Sequence, residues 1–352
     1  MPRALDSLFI ALLAFVPVAI GAAFLGVSPV AVFFLSALAI LPLAKFIGEA
    51  TEELASRTTP AIAGLLNATL GNATELIIGV FALKAGLIEV VKASIAGSII
   101  GNLLLVLGFA MFWGGLGREK QAFNKTGILA QSSTLFLATI AFVVPAIFFQ
   151  TAGGSGASAV EGLSVLVSLV LICMYGANLF FSLHTHKHLY LEEAGRFEPR
   201  WNTARAVGTL AIATLAVAWV SDILVASIKP LAASLGWSQL FIGVIFLAAI
   251  GNAAEHLSAV LVARKDRMDL ALQISIGSAT QIVLVVAPVL VMLGAPFGQP
   301  MNLIFDTFEL VAMVLAVLIV NFVVQDGESN WLEGLQLLAA YAIMAIAFYL
   351  HP

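Results

Sequence analysis

The stretch GNATE at residues 71–75 returns as GNAAE at residues 251–255, an offset of 180 positions. Both copies lie inside long apolar runs, where a carboxylate is costly to keep. The match extends without gaps on either side, LLNATLGNATELIIGV (65–80) falling on IFLAAIGNAAEHLSAV (245–260). The same offset places Gly97 and Ser98 on Gly277 and Ser278, and Leu104 on Leu284. Apolar helices draw on a small alphabet and match by chance. An Asn and a Glu kept in register with a Gly-Ser pair twenty-odd residues later do not, so the chain carries an internal repeat.

The rest of the sequence supplies the setting. The 352 residues are 61% hydrophobic and 10% charged, with a mean hydropathy of +1.06, far from the quarter or so of charged residues in soluble domains. Runs long enough to cross a bilayer core as helices follow one another at about 7–26, 28–46, 60–84, 88–114, 126–149, 158–183, 203–228, 238–263, 269–295, 301–325 and 331–351. The expected fold is all-α, a polytopic membrane protein of about eleven spans. The first run follows Arg3 and ends in small residues, as a signal peptide would. It is long for one and another span follows almost at once, so it reads as a retained helix. Cys173 is the single cysteine, which excludes disulfides and cysteine metal sites, and it reads as a core residue.

Cations set the expected orientation. With the N-terminus in the cytoplasm, Arg3, Arg57, Arg118, Lys120, Lys125, Lys187, Arg196, Arg200, Arg205, Arg264, Lys265 and Arg267 face inward. Only Lys84, Lys92 and Lys229 face outward, and Lys45 lies within a span. This is a strong positive-inside bias. Residues 1–27 then form an extra helix, 28–183 and 203–352 two five-helix units, and 184–202 a cytoplasmic linker. Five is odd, so the two units are inverted relative to each other, an arrangement of secondary transporters with the site between the halves.

Glu75 and Glu255 lie about ten residues inside their spans, with no Lys or Arg within helical reach. Ionisable groups at that depth are functional candidates. Asn72 and Asn252 stand three residues earlier, beside Gly71 and Gly251, where a helix break would turn backbone carbonyls toward a cavity. Ser98, Asn102, Ser278 and Gln281 add neutral oxygens on the following span. The set is all oxygen, as hard cations require, with Ca²⁺ ahead of Mg²⁺ because the ligands are flexible. Two carboxylates balance one divalent ion or two protons. A channel would show a pore loop and a membrane metalloenzyme a His-Glu-x-x-His helix; the sequence has neither. It reads as a transporter and not an enzyme, with no cofactor and no nucleic-acid partner. Its partners are the ions and the lipid bilayer, and homo-oligomerisation stays open.

At GEATEELA (48–55), LLNATLGNATELI (65–77), ASIAGSIIGNLLLVLG (93–108), FSLHTHKHL (181–189), FIGVIFLAAIGNAAEH (241–256) and ISIGSATQIVL (274–284) the chain resembles the Ca²⁺/H⁺ antiporters of the cation/Ca²⁺ exchanger superfamily. The resemblance covers nearly the whole chain. It implies that Glu75 and Glu255 bind Ca²⁺ and exchange it for protons, supported by Asn252, Ser278 and Gln281, with Asn72 and Ser98 as first-half counterparts. The Na⁺-coupled branch carries a GTSLPE-like signature at this position and this chain does not; Na⁺-coupled exchange is the alternative, ahead of a channel. The chain departs from the family pattern at SIKPLAASLG (227–236), which lacks the acids often found there. It also departs in its linker, whose only acids are Glu192, Glu193 and Glu198.

Other polar residues have plainer readings. Lys45 and Glu49 form a structural i, i+4 pair, while Glu52 is balanced between structure and cation guidance. His184, His186 and His188 alternate around a helix and read as a solvated interfacial segment. His256 is a core histidine or a proton relay. Asp306 and Glu309 read as interfacial. The short linker and tails point to a prokaryotic plasma membrane, with a vacuolar membrane as the alternative.

Overall fold

The computed structural model describes residues 2–151, 157–186 and 199–351. Its helices are α1 (Pro2–Leu12), α2 (Phe15–Phe24), α3 (Pro29–Ala55), α4 (Pro60–Leu70), α5 (Ala73–Lys84), α6 (Ile88–Ile100), α7 (Leu107–Gly115), α8 (Lys125–Thr151) and α9 (Ala157–Phe180). The second half comprises α10 (Thr203–Leu235), α11 (Gln239–Phe241), α12 (Ala248–Gly251), α13 (Ala253–Arg264), α14 (Met268–Gln281), α15 (Ala287–Gly294), α16 (Thr307–Val323) and α17 (Trp331–Leu350). π-helical turns at Gly101–Val106, Ile242–Leu247 and Ile282–Val286 join α6 to α7, α11 to α12 and α14 to α15.

This is the all-α membrane architecture that the hydropathy requires. Among the described residues, eight helices are long and apolar enough to cross a membrane, or nine if the bent pair 239–251 and 253–264 is one span. The span expected over 60–84 is broken into α4 and α5, and the one expected over 301–325 contributes only the 17 residues of α16. Most of linker 184–202, including His188 and its three glutamates, lies outside the described residues.

Helix ends follow local chemistry. Ser28 accepts from Ala31 N ahead of Pro29, and Asn202 accepts from Arg205 N at 2.7 Å, the usual N-cap bonds to otherwise unpaired donors. Asp306 with Glu309, and Asn330 with Glu333, close reciprocal capping boxes. Gly236 ends α10 with φ +68, a conformation that suits glycine.

Packing places the centre of the molecule. α10 lies along α3, and α6 crosses the 242–247 turn. Glycine makes that second crossing close: a Cβ on Gly97 would run into the Val244 backbone, and one on Gly243 into Ala93 and Val90. Small residues of this kind let membrane helices approach backbone to backbone. The crossing carries Ser98 and Asn102 of the first half to Asn252 of the second. At one end of the bundle, Gln121–Ala122 (β1) pairs antiparallel with Glu328–Ser329 (β2). Lys120 bonds Glu328 at 2.6 Å beside it, and Gln121 bridges to Ala263 O and Asp266.

Two side-chain expectations change. Cys173 is exposed on its helix and not part of the core: at its position α9 turns outward, and an apolar surface in lipid needs no burial. Glu309 is buried, because its carboxylate turns back to cap Asp306 N at 3.0 Å; only Asp306 is exposed. His184 and His186 are exposed, as a solvated segment requires, and stack on Phe180 and Phe181 of their own helix. The Lys45–Glu49 ion pair forms as expected.

Candidate cation site

Both carboxylate motifs break their helices. α4 ends at Gly71 and α5 restarts after Asn72 (φ −97, ψ 20). α12 ends at Gly251 and α13 restarts after Asn252 (φ −94, ψ 5), with a bend of 63° between the two parts of that span. Glu75 and Glu255 therefore sit in the first turns of α5 and α13. There the unpaired N–H groups and the positive end of the helix dipole favour an anion, by roughly 0.3–1 kcal/mol for each helix. A continuous span would have offered its carboxylate no such partner.

The two halves meet reciprocally. A Cβ on Gly251 would stand 2.6 Å from Glu75 Cγ and 3.3 Å from its carboxyl carbon, so the Glu75 side chain lies on the Gly251 backbone. A Cβ on Gly71 would overlap the Asn67 carbonyl and stand 3.8 Å from Glu255 Oε1. Each glutamate thus approaches the glycine that precedes the other, although they are 180 residues apart in sequence.

The neutral ligand candidates join this centre through two sets of hydrogen bonds between the halves. Asn72 Nδ2 donates to Gln281 Oε1. Asn102 Nδ2 donates to Asn252 Oδ1 at 3.1 Å and Ser278 Oγ at 3.0 Å. Asn252 Nδ2 donates to Ser98 Oγ and Ala248 O, each at 2.9 Å, and Ser278 Oγ donates to Asn252 Oδ1 at 3.3 Å. All eight residues singled out in the sequence come together: Asn72, Glu75, Ser98, Asn102, Asn252, Glu255, Ser278 and Gln281.

What these bonds leave unpaired defines the site's chemistry. Asn72 Oδ1, Glu75 Oε1, Asn102 Oδ1 and Glu255 Oε2 are buried with no hydrogen-bond partner. Buried acceptors without donors are uncommon and costly. Oxygen acceptors from amides and carboxylates are the ligands a hard cation takes. His256 lies beside the site: with Ser98, Gly97, Gly101 and Tyr341 it lines a small cavity.

The sequence of the chain agrees in pattern with a known family. The family described as sodium/calcium exchanger protein matches it over residues 28–184 and 205–350. The chain belongs to that family. A Ca²⁺/H⁺ antiporter of Synechocystis sp. is 49% identical over 99% of this chain and 98% of its own length. The Ca²⁺/H⁺ antiporter ChaA of Bacillus subtilis is 44% identical over 97% and 98%. The solved structure of native YfkE is 43% identical and superposes with a TM-score of 0.86 over 97% of this chain and all of its own. A H⁺/Ca²⁺ exchanger, CAX, superposes with a TM-score of 0.73 at 16% identity, a likeness of fold.

Two residues of this exchanger-family chain escaped the sequence reading. Gln131 of α8 lays its amide on α14: a Cβ on Gly277 would stand 2.8 Å from Gln131 Nε2. The repeat could not reveal it, since the position 180 residues on is Val311. Glu53, 3% exposed, accepts from Arg200 N at 2.9 and 3.0 Å and from Trp201 N at 3.1 Å. Its carboxylate ties the end of the linker to α3, and Arg57 adds a bond to Trp201 O.

Proposed function

We propose that this chain is a Ca²⁺/H⁺ antiporter with Glu75 and Glu255 as its shared exchange site. The observation that carries the reading is the reciprocal seating of each glutamate on the other motif's glycine, among buried oxygens that lack donors. The names of its full-length relatives point the same way.

The mechanism follows from charge. With both carboxylates ionised, the pair balances one Ca²⁺, and Asn72, Asn102, Asn252 and the hydroxyls of Ser98 and Ser278 complete an oxygen shell. When the ion leaves, two bare charges face each other in a poorly solvated space and repel, so the site refills with two protons and is again neutral. The loaded forms are the ones that can reorient, and the empty, doubly charged form is costly to move. Proton entry thereby drives Ca²⁺ exit. The inverted-repeat boundaries at 28–183 and 203–352 supply the two bodies that rock about the site. Glu52 stands at the end of α3 as a cation guide. The cation bias favours a cytoplasmic N-terminus, and the bacterial relatives support efflux outward across a prokaryotic plasma membrane.

Inverted membrane vesicles with an acidic lumen and no Na⁺ test this. They should accumulate radiolabelled Ca²⁺ and alkalinise as they do so, and a protonophore should stop both. Uptake that requires a Na⁺ gradient and ignores the protonophore would move the chain to Na⁺-coupled exchange.

A further inference from the structure

The exchange site has a wall that the repeat does not account for. α8 packs along α14, and Gln131 is where it reaches the site. Its Nε2 rests on the backbone at Gly277, the residue before Ser278 and four before Gln281. A Cβ at 277 would stand 2.8 Å from that amide nitrogen and move it aside. The other end of the same amide, Oε1, is buried without a hydrogen-bond partner. One turn before Ser278 on α14, Ser275 Oγ is likewise buried and unpartnered. A polar amide delivered from a long apolar helix, its nitrogen over the Gly277 backbone and its oxygen unpaired, is placed to accept one further hydrogen bond beside Ser278.

Its chemistry selects the donor. The Gln131 amide stands against Gly277, the neighbour in sequence of the hydroxyl ligand Ser278, and not among the carboxylates themselves. The group a hard divalent cation presents at that distance is its own bound water, whose hydrogens the ion polarises. From the amide's place against Gly277 and its unmet acceptor we infer that Gln131 is an outer-sphere ligand of the transported cation, accepting a hydrogen bond from a cation-bound water next to Ser278. The inference rests on the exchange-site reading above and adds an asymmetric element to it. At the repeat-related position stands Val311, 48% exposed on α16, which can accept nothing. The first half therefore contributes a water-holding group that the second half lacks, and Gln131 sets how much of the ion's hydration the site retains.

The test is direct Ca²⁺ binding to the purified full-length protein in detergent, with proton-driven vesicle uptake measured separately. Gln131→Met keeps the side chain's length and removes the acceptor. It should weaken Ca²⁺ binding and raise the transport KM about tenfold, the usual effect of losing an outer-shell partner, with maximal rate within about twofold. Gln131→Glu keeps an acceptor and adds a charge beside the cation, so Ca²⁺ binding should not weaken as it does in Gln131→Met. Gly277→Ala displaces the amide and should mimic Gln131→Met, and the double variant should be no weaker than either single one. Unchanged affinity in a folded Gln131→Met protein overturns the inference, as do multiplying effects in the double variant. If the wild type binds Ca²⁺ but shows no proton-driven uptake, the antiporter reading fails while Gln131 is still judged by the binding series. A wild type that binds no Ca²⁺ removes both.

Discussion

Glu75 lies on the backbone of Gly251, close enough that a methyl group there would stand 2.6 Å from its Cγ. The contact joins the two halves at the point where α12 stops and α13 begins, and the absence of a side chain at 251 is what permits it. Gly251→Ala should therefore push Glu75 aside and slow exchange by about tenfold or more, a misplacement effect on a positioned group, while helix content is unchanged. Proton-driven Ca²⁺ uptake at the wild-type rate would show that the two glutamates need not approach so closely.

The carboxylates themselves give the sharpest pair of variants. Glu75→Gln and Glu255→Gln keep shape and hydrogen-bonding capacity but can neither balance Ca²⁺ nor carry a proton. Each should reduce uptake to background in a protein that still purifies as a single folded species. Either variant transporting near the normal rate would contradict a shared site.

How far these residues could be read from sequence depends on what the repeat duplicates. Glu75 with Glu255, and Ser98 with Ser278, appear at a fixed offset because both halves build the same part of the site, and charged groups in apolar runs stand out. The helix breaks were legible for the same reason, since Gly-Asn recurs at each. Gln131 and Glu53 were not. Gln131 acts from one half only, and its importance comes from a glycine 146 positions away in sequence (277 − 131). Glu53 is one of three neighbouring acids, and nothing local says which of them turns inward to meet the chain at 200–201. The same limit applies to Glu309, whose burial follows from a cap and not from hydropathy.

Asn252 holds the most connected position of the network, donating to Ser98 and Ala248 and accepting from Asn102 and Ser278. Asn252→Ala removes these bonds and one oxygen. Losing a hydrogen bond of this kind costs about 1–2 kcal/mol, so the apparent Ca²⁺ KM should rise about tenfold with a smaller effect on maximal rate. An unchanged KM would place Asn252 outside the ion's shell.

Glu53 makes a prediction about stability that is separate from transport. Its buried carboxylate accepts three backbone hydrogen bonds from Arg200 and Trp201. Glu53→Ala leaves those donors unpaired at the junction of linker and α10, at a cost of about 1–3 kcal/mol. Thermal unfolding should shift down, and protease cleavage near Trp201 should speed up. A variant with wild-type melting and cleavage would make the latch a bystander.

Proximity of the two glutamates can be tested without assuming any transport chemistry. With Cys173 replaced by Ser to clear the background, cysteines at 75 and 255 should share a soft metal such as Cd²⁺ or join by a short bifunctional reagent. The glycine contacts put the two side chains at one junction, each against the other's motif, and thiolates there would be close enough to be bridged. Single-cysteine variants should show neither effect. Exchange cycles the site between two openings, so bridging should also depend on ligand: added Ca²⁺ or low pH should change its rate by altering how long the site is accessible. Bridging that never occurs, with Ca²⁺, at low pH or without either, would place the carboxylates in separate sites and leave the one-Ca²⁺-for-two-protons balance without a physical basis.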